Sequence, residues 1–310
     1  MLAKLHRSLS RQRVLEISQW IIPLLAIYFI WVIIDSKTQN STFLFVWKNA
    51  FSKIDWMSFF SLMFILTSLN LFLESLKWKY AFQKINSISY TNAFIQTLKS
   101  MAAGFITPFR SGALFARMIA NENTDKLKIL DATIQMSIAQ FSVTILVGLG
   151  GLIYWLIENN EMCLFYFTTS VLLILISLVI YFIKFPPKIK FKNREWNGFS
   201  FDLSIIFISL FRYFVFAFQY VLLLWIFGAE IEMVTAFCLV SITFLVNTLL
   251  PTGILGKIGV RELSGIMIIG EATGFVLEVS CAAFMIWILN QALPALLGSI
   301  LFLTGNSRFN

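Results

Sequence analysis

Six cations sit in or beside apolar stretches of this chain: Lys99, Arg110, Arg117, Arg212, Lys257 and Arg261. A Lys or Arg within a membrane segment costs about 2.5–3.5 kcal/mol on insertion scales, so each one points to a function or a partner. Four carboxylates lie near those stretches: Glu74, Asp131, Glu262 and Glu278. Cations in excess of carboxylates suit an anionic ligand. Metal and triad chemistry have little to work with. The one His, His6, lies in a basic N-terminal stretch, and Cys163, Cys238 and Cys281 are far apart in apolar runs, as small buried hydrophobes are. No metal, cofactor or catalytic residue is expected.

Two of the cation-bearing stretches carry helix-breaking residues. The first reads Gly104-Phe-Ile-Thr107-Pro108-Phe-Arg110-Ser111-Gly112, with Arg117 beyond it. Pro108 ends a helix and Ser111 is placed to cap the next. The new N-terminus turns free N–H groups toward an anion, with Arg110 and Arg117 beside it. A kinked helix with Arg110 reaching to Asp131 reads equally simply. The second stretch holds Pro251, Thr252, Gly253, Gly256, Lys257, Gly259, Arg261 and Glu262, and its glycines and proline predict an unwound backbone. There Arg261 and Glu262 either bind a ligand or staple a loop. Arg212 lies near the middle of its own apolar run with Gln219 seven residues on, so both project from one helix face. It is a ligand or a structural donor to carbonyls near Pro251.

The elements that must position these groups are helices in lipid. Apolar residues make up 58% of the chain and charged residues 13%, too polar-poor to cover a soluble fold. Runs long enough for a ~30 Å hydrocarbon layer occur at Ile17–Ile34, Trp56–Leu76, Ile129–Ile157, Met162–Phe185, Leu203–Phe227, Met233–Leu250 and Phe275–Leu303. The broken stretches Ala93–Ala120 and Leu249–Gly270 come between them. The first run is basic-flanked, but no cleavage pattern ends it, so it reads as a retained helix.

Most of the 24 Lys and Arg fall on one side if both broken stretches are re-entrant hairpins. That side takes the N-terminal stretch, the Lys77–Lys84 and Lys126–Lys128 segments, the loop from Lys184 to Arg194, and Arg308. The formal charge of +8 is thus an orientation signal and implies no nucleic acid. The expectation is an all-α polytopic membrane domain over residues 1–310 with about seven transmembrane helices. Its two opposed re-entrant hairpins, near 93–120 and 249–270, are arranged like an inverted repeat. The N-terminus is cytoplasmic.

Three pieces carry a family resemblance. Gly104 through Gly112 with Arg117, then Arg212-Tyr213 with Gln219-Tyr220 and Phe227-Gly228, then Pro251 through Glu262, together resemble the transmembrane region of the lysylphosphatidylglycerol synthase family. Ala113 stands where that family usually has Glu, and Ser137-Ile-Ala-Gln140 replaces its Glu–Arg pair. The resemblance implies a lipid-flippase fold in a bacterial inner membrane, without the soluble synthase domain. Arg110, Arg117, Arg212, Lys257 and Arg261 would hold the phosphate of a phospholipid or lipid-linked intermediate. Thr107, Ser111, Gln219 and Thr252 would add hydrogen bonds, with Glu262 beside them. A small-anion or amino-acid transporter, and a non-transporting subunit docked to a partner membrane protein, are the other classes. A homo-oligomer is compatible with any of them.

Overall fold

The computed structural model describes residues 43–53, 55–107, 110–161, 202–249 and 256–304, with short pieces between 164 and 196. The Ile17–Ile34 run, most of Met162–Phe185, Pro108, Pro251, Thr252 and Gly253, and the Lys257 side chain lie outside the description.

The described chain is built of helices: α1 Phe43–Lys53, α2 Trp56–Gln83, α3 Tyr90–Ile106, α4 Ser111–Ala120, α5 Lys126–Glu158, α6 Leu203–Ile226, α7 Met233–Leu249 and α8 Gly256–Gly265. Helix α8 runs on through a π-helical turn, Ile266–Gly270, to Thr273. After Gly274, in the left-handed conformation at φ 83°, come α9 Val276–Trp287, a second π turn Ile288–Ala292 and α10 Leu293–Leu303. A short antiparallel hairpin pairs β1 Ile189–Phe191 with β2 Arg194–Trp196. It lies in the basic loop, where an all-α chain was expected to have none. Helix α1 was not foreseen either, because eleven residues fall short of a span.

Among the described residues, four helices are long and apolar enough to cross a membrane: Met57–Gln83, Lys126–Glu158, Leu203–Ile226 and the continuous Val276–Leu303. Their exposed faces carry large apolar side chains such as Phe64, Phe207, Leu296 and Ile300. In water that surface would be a liability, and in lipid it is the natural outer face. The protein thus has the build of a multi-pass membrane protein. Its main buried cluster runs between α2, α6, α7 and α9 through Leu66, Tyr220, Leu224, Val240 and Ala282. A second joins α2, α3 and α5 through Trp78, Ala93, Ile129 and Met136.

Small residues set the closest approaches. A Cβ placed on Gly148 or Gly151 of α5 would meet Leu245 or Cys238 of α7 at 2.6 or 3.0 Å. At Gly298 of α10 it would meet the Leu98 carbonyl of α3 at 2.1 Å. With little hydrophobic drive between helices in lipid, such backbone contact is a main source of cohesion. Asp202 caps α6 through the Ser204 amide and pairs with Lys84 at 3.1 Å, which puts the start of α6 beside the end of α2.

Candidate functional site: a buried cation cluster

Helix α2 delivers two charges from one face. Glu74 and Lys77, three residues apart, pair at 2.9 Å, and Lys77 is only 2% exposed. Helix α6 brings Arg212 to the same carboxylate at 3.2 Å. Helix α5 closes the third side with Gln140, whose Oε1 accepts from Arg212 at 3.1 Å and from Lys77 at 3.3 Å. Arg117, buried on α4, lies with its guanidinium 4.4 Å from the Trp78 ring centroid and donates to Thr133 at 3.4 Å. Trp78 and the loop end of α4 are tied together by Gln96, which accepts from the indole N–H at 2.8 Å and exchanges hydrogen bonds with Asn121.

Arg110 completes the group from the break between α3 and α4. Helix α3 stops at Ile106 and α4 starts at Ser111. Neither half reaches the ~20 residues of a span, so the two form a helical hairpin. Arg110 precedes α4 at φ 56°, a left-handed conformation uncommon for a residue with a Cβ. Its charge is in electrostatic reach of Glu74 and Arg212, and that of Arg117 is in reach of Glu74 and Arg110. Lys77 and Arg212 thus contact one carboxylate, the buried Arg117 lies within its electrostatic reach, and Arg110, exposed at the break, lies within that reach as well. Each ion taken out of water costs several kcal/mol unless it is paired. The Nε donors of Arg117 and Arg212 are buried without a hydrogen-bond partner. The cluster is short of anionic charge.

Several expectations need correcting. Lys77 is not a loop charge that helps orient the protein. Helix α2 runs on to Gln83 and places Lys77 inside. Arg212 answers Glu74 and Gln140, while Asp131 takes a bond from Gln135 at 3.0 Å. The Thr107 hydroxyl is already engaged within the chain, donating to Ala103 O at 2.8 Å and accepting from the Gly112 amide at 2.7 Å. It thereby supplies the cap expected of Ser111, which is the first residue of α4 instead. Gly104 and Gly112 sit where the two halves cross, and a Cβ on Gly112 would lie 2.4 Å from Ala103 O.

Gln219 is fully engaged. It donates to Thr67 at 3.0 Å and accepts from Asn290 at 2.8 Å, and Asn290 in turn pairs with Asn70. This amide chain bonds α2, α6 and the second π turn to one another and leaves Gln219 little to offer a ligand.

The second motif forms a separate pocket of polarity. Gly256 and Gly259 are helical in α8, where an unwound backbone was expected. Arg261 and Glu262 are 8% and 7% exposed and pair at 3.0 Å, and Arg261 also donates to the Ala283 carbonyl at 2.6 Å. Ser264 donates to Asn247 at 2.9 Å. Arg261 is within electrostatic reach of Tyr220, eight residues beyond Arg212 on α6, which is about 12 Å along the axis. The structure therefore brings Arg110, Arg117 and Arg212 together and sets Arg261 and Glu262 apart.

Sequence reasoning missed Lys77 and Gln140. Their usable signal was the Glu74–Lys77 spacing of three, which pairs two charges on one face of a helix. Among the described residues no group of His, Cys, Asp and Glu could hold a metal. No protein-family model matches the chain, and no curated protein matches it.

Proposed function

We propose that this protein binds the phosphate of an anionic phospholipid or lipid-linked intermediate and moves it between the leaflets of a membrane. The observation that carries the reading is the cluster of Lys77, Arg110, Arg117 and Arg212 around Glu74, with buried guanidinium donors left open. A phosphate has the charge and the acceptor oxygens to fill that deficit. In this reading the α3–α4 hairpin is re-entrant, since each half is too short to cross. In this reading the Lys84 and Lys126 ends face the cytoplasm of a bacterial inner membrane, and the charge bias supports that orientation. About seven spans then complete the chain, with α8 belonging to the opposed hairpin. The likeness to the lysylphosphatidylglycerol synthase transmembrane region supports the same reading. Arg261, close to Tyr220 and so about two helical turns of α6 beyond Arg212, offers a second station at another depth.

The test is leaflet exchange of a fluorescent anionic phospholipid in proteoliposomes. Arg212→Gln keeps the Glu74–Lys77 pair, so the fold has its central contact. Removing one charged hydrogen-bond donor should slow exchange about tenfold or more. Exchange unchanged in Arg212→Gln and in Arg117→Gln rules the reading out.

One observation favours a second reading. Glu74 is a carboxylate at the centre of the cluster, the group that ion-coupled uptake of a small anion requires. Uptake of a water-soluble anion, with no lipid movement in the same vesicles, selects that reading.

A further inference from the structure

A cleft of about 510 Å³ opens where the end of α2, the start of α3 and the end of α4 meet. It falls within the 300–1,000 Å³ of ordinary small-ligand sites. Two features define its chemistry. Its polar lining is mostly neutral, with the side-chain amides of Asn86, Asn92, Gln96, Asn121 and Asn123. Its charged lining is one Lys and one Glu, Lys99 and Glu122, which offset each other. Lys99 lies 5.5 Å from the ring centroid of Phe302, and that ring forms part of an apolar wall with Ile119.

The floor is rigid. Gln96, 3% exposed, and Asn121 bond to each other in both directions, and Trp78 donates to Gln96. The rim is open. Asn92 is half-buried and Asn123 exposed, and neither side-chain amide makes a hydrogen bond among the described residues. An amide offers a donor pair and an acceptor side by side. Vicinal hydroxyls offer the same pair in reverse. A charge-balanced cleft with free amides and an apolar wall therefore selects hydroxyl groups rather than net charge.

We infer that this cleft binds a polyhydroxylated group, a sugar or polyol, borne on a lipid or free in solution. The amides of Asn92 and Asn123 bond the hydroxyls, and the Ile119–Phe302 wall takes the apolar face or acyl stem. This is independent of the phosphate reading, because the ligand need carry no charge.

The experiment uses the full chain in phosphatidylcholine nanodiscs, with bound lipid counted by native mass spectrometry. The probe is a hexosyl diacylglycerol, and the reference is the same diacylglycerol without the sugar. The expected result is retention of the glycolipid over the reference, reduced about tenfold in Asn92→Leu and in Asn123→Leu. Both variants should unfold at the wild-type temperature. Competition by free hexose marks a soluble source for the ligand, and its absence marks a lipid one. Equal retention of the two lipids, or wild-type retention in both Asn variants, overturns the inference.

Discussion

Glu74→Gln should be among the most damaging single substitutions in this chain. The carboxylate sits between Lys77 at 2.9 Å and Arg212 at 3.2 Å, the first cation buried and the second partly buried. Gln keeps the shape and removes the charge. Two cations would then face each other across Gln140 with no anion between them. Breaking a buried ion pair by removing one partner costs about 3–5 kcal/mol, most of it from the charge left behind. That is a large share of the 5–15 kcal/mol that holds an ordinary domain together. Thermal unfolding of the purified variant in detergent should show a large drop, and its yield should fall. Glu74→Gln with Lys77→Met removes one stranded cation and should recover part of the loss. Equal stability of wild type and Glu74→Gln would mean that the cations already have another counter-ion. An anionic lipid would also protect the wild type, and its effect should be larger in Glu74→Gln, where the cluster has one more charge to satisfy.

A comparable loss is expected at the second polar centre. Arg261 binds Glu262 at 3.0 Å and the Ala283 carbonyl at 2.6 Å, joining α8 to α9 across the turn at Gly274. Arg261→Met strands a buried carboxylate and an acceptor together, at a cost again of about 3–5 kcal/mol. Glu262→Gln alone should cost less, because the amide oxygen still accepts from Arg261. The pair should couple strongly. Arg261→Met with Glu262→Met should be more stable than the sum of the single losses by about 0.5–3 kcal/mol, read from thermal unfolding of the four forms. Additive losses would show that the two residues act independently, and that α8 is held to α9 by apolar packing alone.

The parts of this architecture that sequence could reveal are those set by a single element. Long apolar runs announce α2, α5, α6 and the last helix, because length against hydrocarbon thickness needs no partner. The break around Thr107 was visible for the same reason, since Pro and Gly act locally. Partnership was not visible. Lys77 follows an apolar run and precedes Lys79, so it reads as a loop charge until α2 is seen to continue to Gln83. Gln140 is one amide in a 33-residue helix, and its meaning comes from Lys77 and Arg212, 63 and 72 residues away. Gly256 and Gly259 misled in the other direction. Their propensity argues for unwinding at about 1 kcal/mol each, but they lie inside α8, and a buried position such as that of Gly259 can outweigh that cost through packing. Arg212 and Gln219 do share a face, but the helix they face answers one with a carboxylate and the other with a hydroxyl.

Thr107 sets a narrow rule for inheritance at the hairpin tip. One hydroxyl closes α3 by donating to Ala103 and opens α4 by accepting from Gly112. Only Ser offers the same donor and acceptor at the same reach, so position 107 tolerates two residue types. Position 112, where a Cβ would strike the Ala103 carbonyl, tolerates Gly alone. Two codons five positions apart thus constrain each other through a single backbone oxygen, and related chains that keep this tip should change neither one without the other.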